Sequence, residues 1–215
     1  LFLWVLPSES TGTNVLDNGF AQLDGLFSLA PWLYLFLIPA ICMRSISEEL
    51  KSGTLEFLLT KPLSARGLVL AKFMAGFTLV VISLLPTLFY VYVVYQLGNP
   101  KGNLDWGGLG GSYLGLLLLA SVFLACGIFS STFSEQQITS FLLALLICFF
   151  LYNGFDIIAQ SGFFGAADSV IKKMGISEHY ESISRGVVDF RDLIYFFSVS
   201  ALFLILTAQR LRLKR

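Results

Sequence analysis

"RSISEELKSGTLEFLLTKPLSARGLVLAK", residues 44–72, is the most charged continuous stretch of an otherwise apolar chain. It lies between two long apolar runs. Ser45 followed by Glu48 fits a capping box that opens a short helix. Gly53 fits the stop of that helix. Thr54 then caps a second short helix over 55–60, and Pro62 ends it, because the residue before a proline leaves the α region. Ser64 caps a third helix that continues through Lys72 into the next apolar run. On a wheel of about 100° per residue, Leu55, Leu58 and Leu59 share one face, and Glu56, Phe57 and Thr60 the other. The leucine face suits the base of a bundle or a membrane surface. An aromatic beside a carboxylate on the water side fits a partner's pocket; an ordinary interfacial turn is the alternative.

Working outward, the chain is 56% hydrophobic and 13% charged, with 21 Phe. Soluble domains carry about 25% charged residues, so the composition reads as an all-α polytopic membrane protein. A bilayer core needs about 20 apolar residues in helix. On that length a first span ends within 1–6, its beginning missing from a chain that starts at Leu1. Further spans fall at 27–43, 73–95, 113–133, 138–158 and 193–208. This makes one six-span transmembrane domain over 1–215, with the 44–72 segment on one side and a long loop, 159–192, on the other. The ten-residue alternating segments of a membrane β-barrel are absent from the sequence. Pro39 and Pro86 fall inside spans and predict kinks.

Charge sets the orientation. The 44–72 segment, the turn at Glu135 and the tail "QRLRLKR" together hold nine of the 14 basic residues and four of the 14 acids. That side is net +5 and the other net −5, so the positive side is expected in the cytoplasm, with both termini. Formal net charge is zero, which gives no footprint for nucleic acid.

The other segments are less informative. "QLGNPKGNLDWGGLGGS" (96–112) reads as turns, and its glycines have no P-loop context. Ala167, Val170, Ile171 and Met174 have helical spacing and predict a short helix on the outer surface or capping the bundle. Asp189 and Asp192 suit the start of the last span. Asn153 and Asp156, with Tyr152, form a polar cluster near the outer end of the fifth span. They are the candidate polar path; a carboxylate reaching the headgroups is the plainer reading. Cys42, Cys126 and Cys148 lie in apolar runs without metal-ligand spacing, and His179 reads as an exposed loop histidine. No catalytic or metal site is expected, since neither HExxH nor GxSxG occurs. A membrane anchor or a secondary transporter fits the same composition, but secondary transporters usually carry midplane charges, which these spans lack.

The set Glu48-Glu49, Gly53-Thr54, Glu56, Leu58-Leu59, Pro62 and Lys72 resembles the signature after the second span of ABC-2-type transporter permeases. "SLAPWLYLFLIPAICMRSISEELKSGTLEFLLTKP", "VYQLGNPKGN" and "SISRGVVDFRDLIYF" are similar to the GldF family, permease subunits of gliding-motility ABC transporters in Bacteroidota-type bacteria. The resemblance implies a six-helix permease in the bacterial inner membrane, acting as a homodimer within membrane lipid. It implies a separate ABC ATPase subunit that binds ATP and Mg, so that this chain needs no cofactor of its own. A second auxiliary membrane protein is implied as well. The ATPase-coupling residues would be Glu48, Glu49, Gly53, Thr54, Leu55, Glu56, Phe57, Leu58 and Pro62, with Arg66 and Lys72 anchoring the lever at the headgroups.

Overall fold

Chain order and the position of the apolar runs produce a bundle around one inner helix. The computed structural model describes residues 23–54, 64–97, 104–160, 168 and 172–213. The first-span remnant, the 55–60 helix with Pro62, and Ala167, Val170 and Ile171 lie outside the described residues. The helices are α1 Asp24–Cys42, α2 Ser47–Lys51, α3 Ala65–Leu84, α4 Leu88–Leu97, α5 Trp106–Ser130, α6 Gln137–Phe149, α7 Phe155–Gln160, α8 Ile176–Ser184 and α9 Phe190–Leu213. A 3-10 turn, Leu85–Thr87, joins α3 to α4, and a π-helical turn, Phe150–Gly154, joins α6 to α7. Among the described residues, five continuous helical segments are long and apolar enough to cross a membrane. Their ends run past the apolar stretches, because polar caps and first-turn residues at the interface extend the helix beyond the hydrocarbon.

The helix α5 is the core of the bundle. Leu116, Leu119, Phe123 and Leu124 are fully buried, and α1, α3, α6, α8 and α9 all pack on it. Small residues let those neighbours approach. A Cβ at Gly127 would lie 2.6 Å from Cβ of Cys42, and one at Gly76 of α3 would lie 2.8 Å from Leu124 Cδ2. With no hydrophobic drive between helices in lipid, such close packing and interhelical hydrogen bonds hold a bundle together. Ser121 and Ser200 supply one such bond, at 3.1 Å. The outer faces of the other spans are apolar and open: Leu33, Phe89, Leu146 and Phe197 are all more than 60% exposed. That is the surface lipid covers.

The prolines act locally. Pro86 lies in the 3-10 turn, where the Leu85 N–H bonds Ile82 O, the carbonyl that proline leaves without its helical donor. Pro31 and Pro39 both sit inside α1.

Three expectations are corrected. The glycine-rich 107–112 run is not a set of turns but the opening of α5, capped by Asp105, whose Oδ1 accepts from the N–H groups of Gly107 and Gly108 at 3.0 and 3.1 Å. Its glycines make room for a crossing backbone: a Cβ at Gly111 would lie 2.3 Å from Ile183 O. Ser45 does not cap α2, which starts at Ser47 after Ile46; Ser47 instead turns its hydroxyl back to Met43 O. His179 is not an exposed loop residue. It lies on α8, stacked on Tyr195 at 4.1 Å between ring centres, with Nδ1 2.7 Å from Asp192 Oδ1 and Nε2 2.9 Å from Lys173 O. Each ring nitrogen thus faces one oxygen acceptor. Met174 sits in the turn before α8, exposed.

Candidate functional site

Two regions gather the residues that sequence singles out, one at each end of the bundle. At the basic end, α1 ends at Cys42 and the chain turns through 43–46 into α2. Glu48 and Glu49 stand in the first turn of α2 and Lys51 in its last, each sign matched to the helix dipole. Gly53 has φ +69°, a left-handed conformation that redirects the chain at the point expected of it. Thr54 Oγ1 and Ser52 Oγ lie 2.8 Å apart beside it. Ser64 caps α3, accepting from the Gly67 N–H at 3.1 Å.

The bracing of α2 was not legible in the sequence. Lys72 Nζ lies 2.6 Å from Glu49 Oε1 and also donates to Ser45 O. The pair is largely sheltered, with side-chain exposures of 18% and 23%. Lys72 therefore holds α2 against the second turn of α3, and its ammonium is engaged within the chain. On the other flank, Arg44 Nε donates to Gln137 Oε1 at 3.2 Å, at the start of α6. Arg66 is exposed in the first turn of α3. Glu48, Glu49, Gly53, Thr54, Arg66 and Lys72 are thus all at one end, while Leu55, Glu56, Phe57, Leu58 and Pro62 lie outside the described residues.

At the acidic end, α8 folds back over the bundle. Ser112 Oγ of α5 donates to Ser184 O at 3.0 Å, and Gly186, at φ +82°, lets the chain pass close to Gly107. Tyr180 Oη donates to Phe27 O at 2.8 Å. That carbonyl stands four residues before Pro31, which has no N–H to give it, so the phenol replaces the missing helical donor. Burial, with the phenols of Tyr152 and Tyr34 nearby, pushes the Tyr180 hydroxyl well above its ordinary range, so it keeps the proton it donates.

Between α8 and the bundle is a cavity of about 660 Å³. Asn153 and Asp156 both line it, with Trp32, Tyr152, Tyr180 and Glu181. The π-helical turn includes Asn153 and ends two residues before Asp156, and such turns are frequent at functional sites. Asp156 Oδ2 accepts from Ser177 Oγ, while its Oδ1 is buried without a partner among the described residues. The sequence indicated the polar pair but not the cavity, since Trp32 and Glu181 come from distant segments. The exposed Lys172 ammonium has its pKa raised by the Glu178 carboxylate 3.0 Å away. No group of three or more His, Cys, Asp or Glu able to hold a metal occurs among the described residues.

The arrangement has two ends of opposite character joined by a packed central helix: a braced polar segment at one, an aromatic and acidic cavity at the other. A comparison with curated proteins finds no match. The family model described as ABC-2 family transporter protein matches residues 14–211, nearly the whole chain. The chain, a multi-pass membrane protein, therefore belongs to the ABC-2 family of transporter proteins.

Proposed function

We propose that the chain is the permease subunit of an ATP-driven ABC-2 exporter, and that 44–72 is the segment on which a separate ATPase subunit pushes. The observation that carries this is the bracing of α2, with Glu49 bonded to Lys72 of α3 and Arg44 to Gln137 of α6. A load applied beside Gly53 then reaches two membrane helices at once. The basic end faces the cytoplasm and the partner supplies ATP and Mg, while this chain does no chemistry of its own. Two copies pair around the path. Resemblance to gliding-motility permeases supports a place in a transporter of that kind, in a bacterial inner membrane, with a second auxiliary membrane protein. The cavity beside Asn153 and Asp156 is the outer mouth of the path.

The test is co-purification with an ABC ATPase subunit produced in the same cells. Phe57→Asp is expected to cut its recovery at least fivefold and to abolish stimulated ATP hydrolysis. Recovery and hydrolysis both equal to the parent's would refute docking through this segment.

A further inference from the structure

At the basic end a groove runs between the first turns of α3 and the last turns of α9, with a volume of about 250 Å³. Its floor is apolar, formed by Val69, Leu204 and Ala208, and Ile205 opens it toward the lipid side. Its rim carries two guanidinium groups, Arg66 and Arg212, and, among the described residues, no carboxylate. Three other cations at this end are engaged. Lys72 holds Glu49, Arg44 holds Gln137, and the Arg210 guanidinium lies 3.6 Å over the Phe133 ring. Among the described residues, Arg66 and Arg212 have no ion pair or hydrogen bond to another side chain. The first turn of α3 also contains no acid, so Arg66 adds its charge to the positive end of the helix dipole. Among the described residues lining the groove, no acid offsets this local excess.

We propose that the groove binds one anionic phospholipid of the leaflet at the basic end, its phosphate between Arg66 and Arg212 and the start of one acyl chain along Val69 and Ala208. Charge complementarity selects the headgroup, and the apolar floor at membrane depth selects a lipid over a soluble anion. Basic pockets between membrane helices have this chemistry in general. The site is independent of the ATPase reading, since it needs no partner to form.

The test uses the full-length chain in mixed micelles of phosphatidylglycerol and phosphatidylcholine, with retained lipids counted by native mass spectrometry. The parent is expected to keep phosphatidylglycerol preferentially. Arg66→Gln with Arg212→Gln is expected to weaken that preference about thirtyfold, two basic contributions near a charged headgroup. Ile205→Trp, which fills the groove and leaves both charges, is expected to lower retention as well, and reads the site even if the double variant folds poorly. Preference unchanged in either variant overturns the proposal. Displacement of the lipid by millimolar glycerophosphate would make it a site for a free anion. Loss of a dimer in the double variant, with lipid unchanged, would assign the groove to a second copy.

Discussion

Tyr180 shows how one side chain repairs a break made elsewhere. Pro31 removes a helical donor from α1, and a phenol from a segment far along the chain restores it at Phe27 O. Tyr180→Phe keeps the ring and removes the donor. It is expected to lower stability by about 1–3 kcal/mol, the cost of a buried unsatisfied carbonyl, read as a lower melting temperature in detergent. A melting temperature equal to the parent's would show the carbonyl satisfied otherwise. The glycines of α5 give a paired contrast. Gly111→Ala places a methyl on the α8 backbone at Ile183 and is expected to cost about 1–3 kcal/mol. Gly110→Ala meets open space and should be neutral or stabilising by up to about 1 kcal/mol, as alanine is the better helix former. The two residues are adjacent and chemically identical, so sequence alone does not separate them; the crossing of α8 does.

For single elements, the sequence was most readable where local chemistry decides. Ser64 caps α3 and Gly53 turns the chain because hydroxyl capping and positive φ are local requirements. It was least readable where a distant partner decides. Ser45 is spaced as a cap, yet its carbonyl serves Lys72 and the helix opens two residues later. His179 looks like a loop residue until α9 brings Asp192 against it. The bracing of α2 yields a charge-swap prediction. Glu49→Lys or Lys72→Glu alone is expected to cut ATPase-stimulated transport at least tenfold, by placing like charges within reach of each other. The double exchange, restoring opposite charges, should recover most of it. Equal loss in the double variant would mean the residues act separately, each on something outside the chain.

Across the whole molecule, the all-helical membrane class follows from composition and span length, and the structure has it. What composition did not give was which span lies at the centre. The α5 run is no more apolar to the eye than its neighbours; its Gly, Ala and Ser content, not its hydropathy, makes it the helix the others surround. The orientation rests on charge and can be tested directly. Cys42, Cys126 and Cys148 are all buried, so the native chain provides a quiet background for thiol labelling. Lys51→Cys is expected to resist a membrane-impermeant maleimide in intact cells and to react after lysis, while Arg185→Cys reacts in both. The opposite pattern would invert the molecule and remove the docking proposal with it.

The π-helical turn at Phe150–Gly154 has a geometric consequence for the span that contains it. Ser140, Ala144 and Cys148 line the buried side of α6, four residues apart. In an unbroken α-helix that spacing drifts about 40° at each step, and Asp156 would end up about 120° from Ala144, the middle of that side. Five-residue closure absorbs one position without advancing the spiral, which returns about 100° of the drift. The carboxylate thus reaches Ser177 and the cavity under α8 because its helix carries a supernumerary residue, and the phase of the outer half is set independently of the inner half's packing.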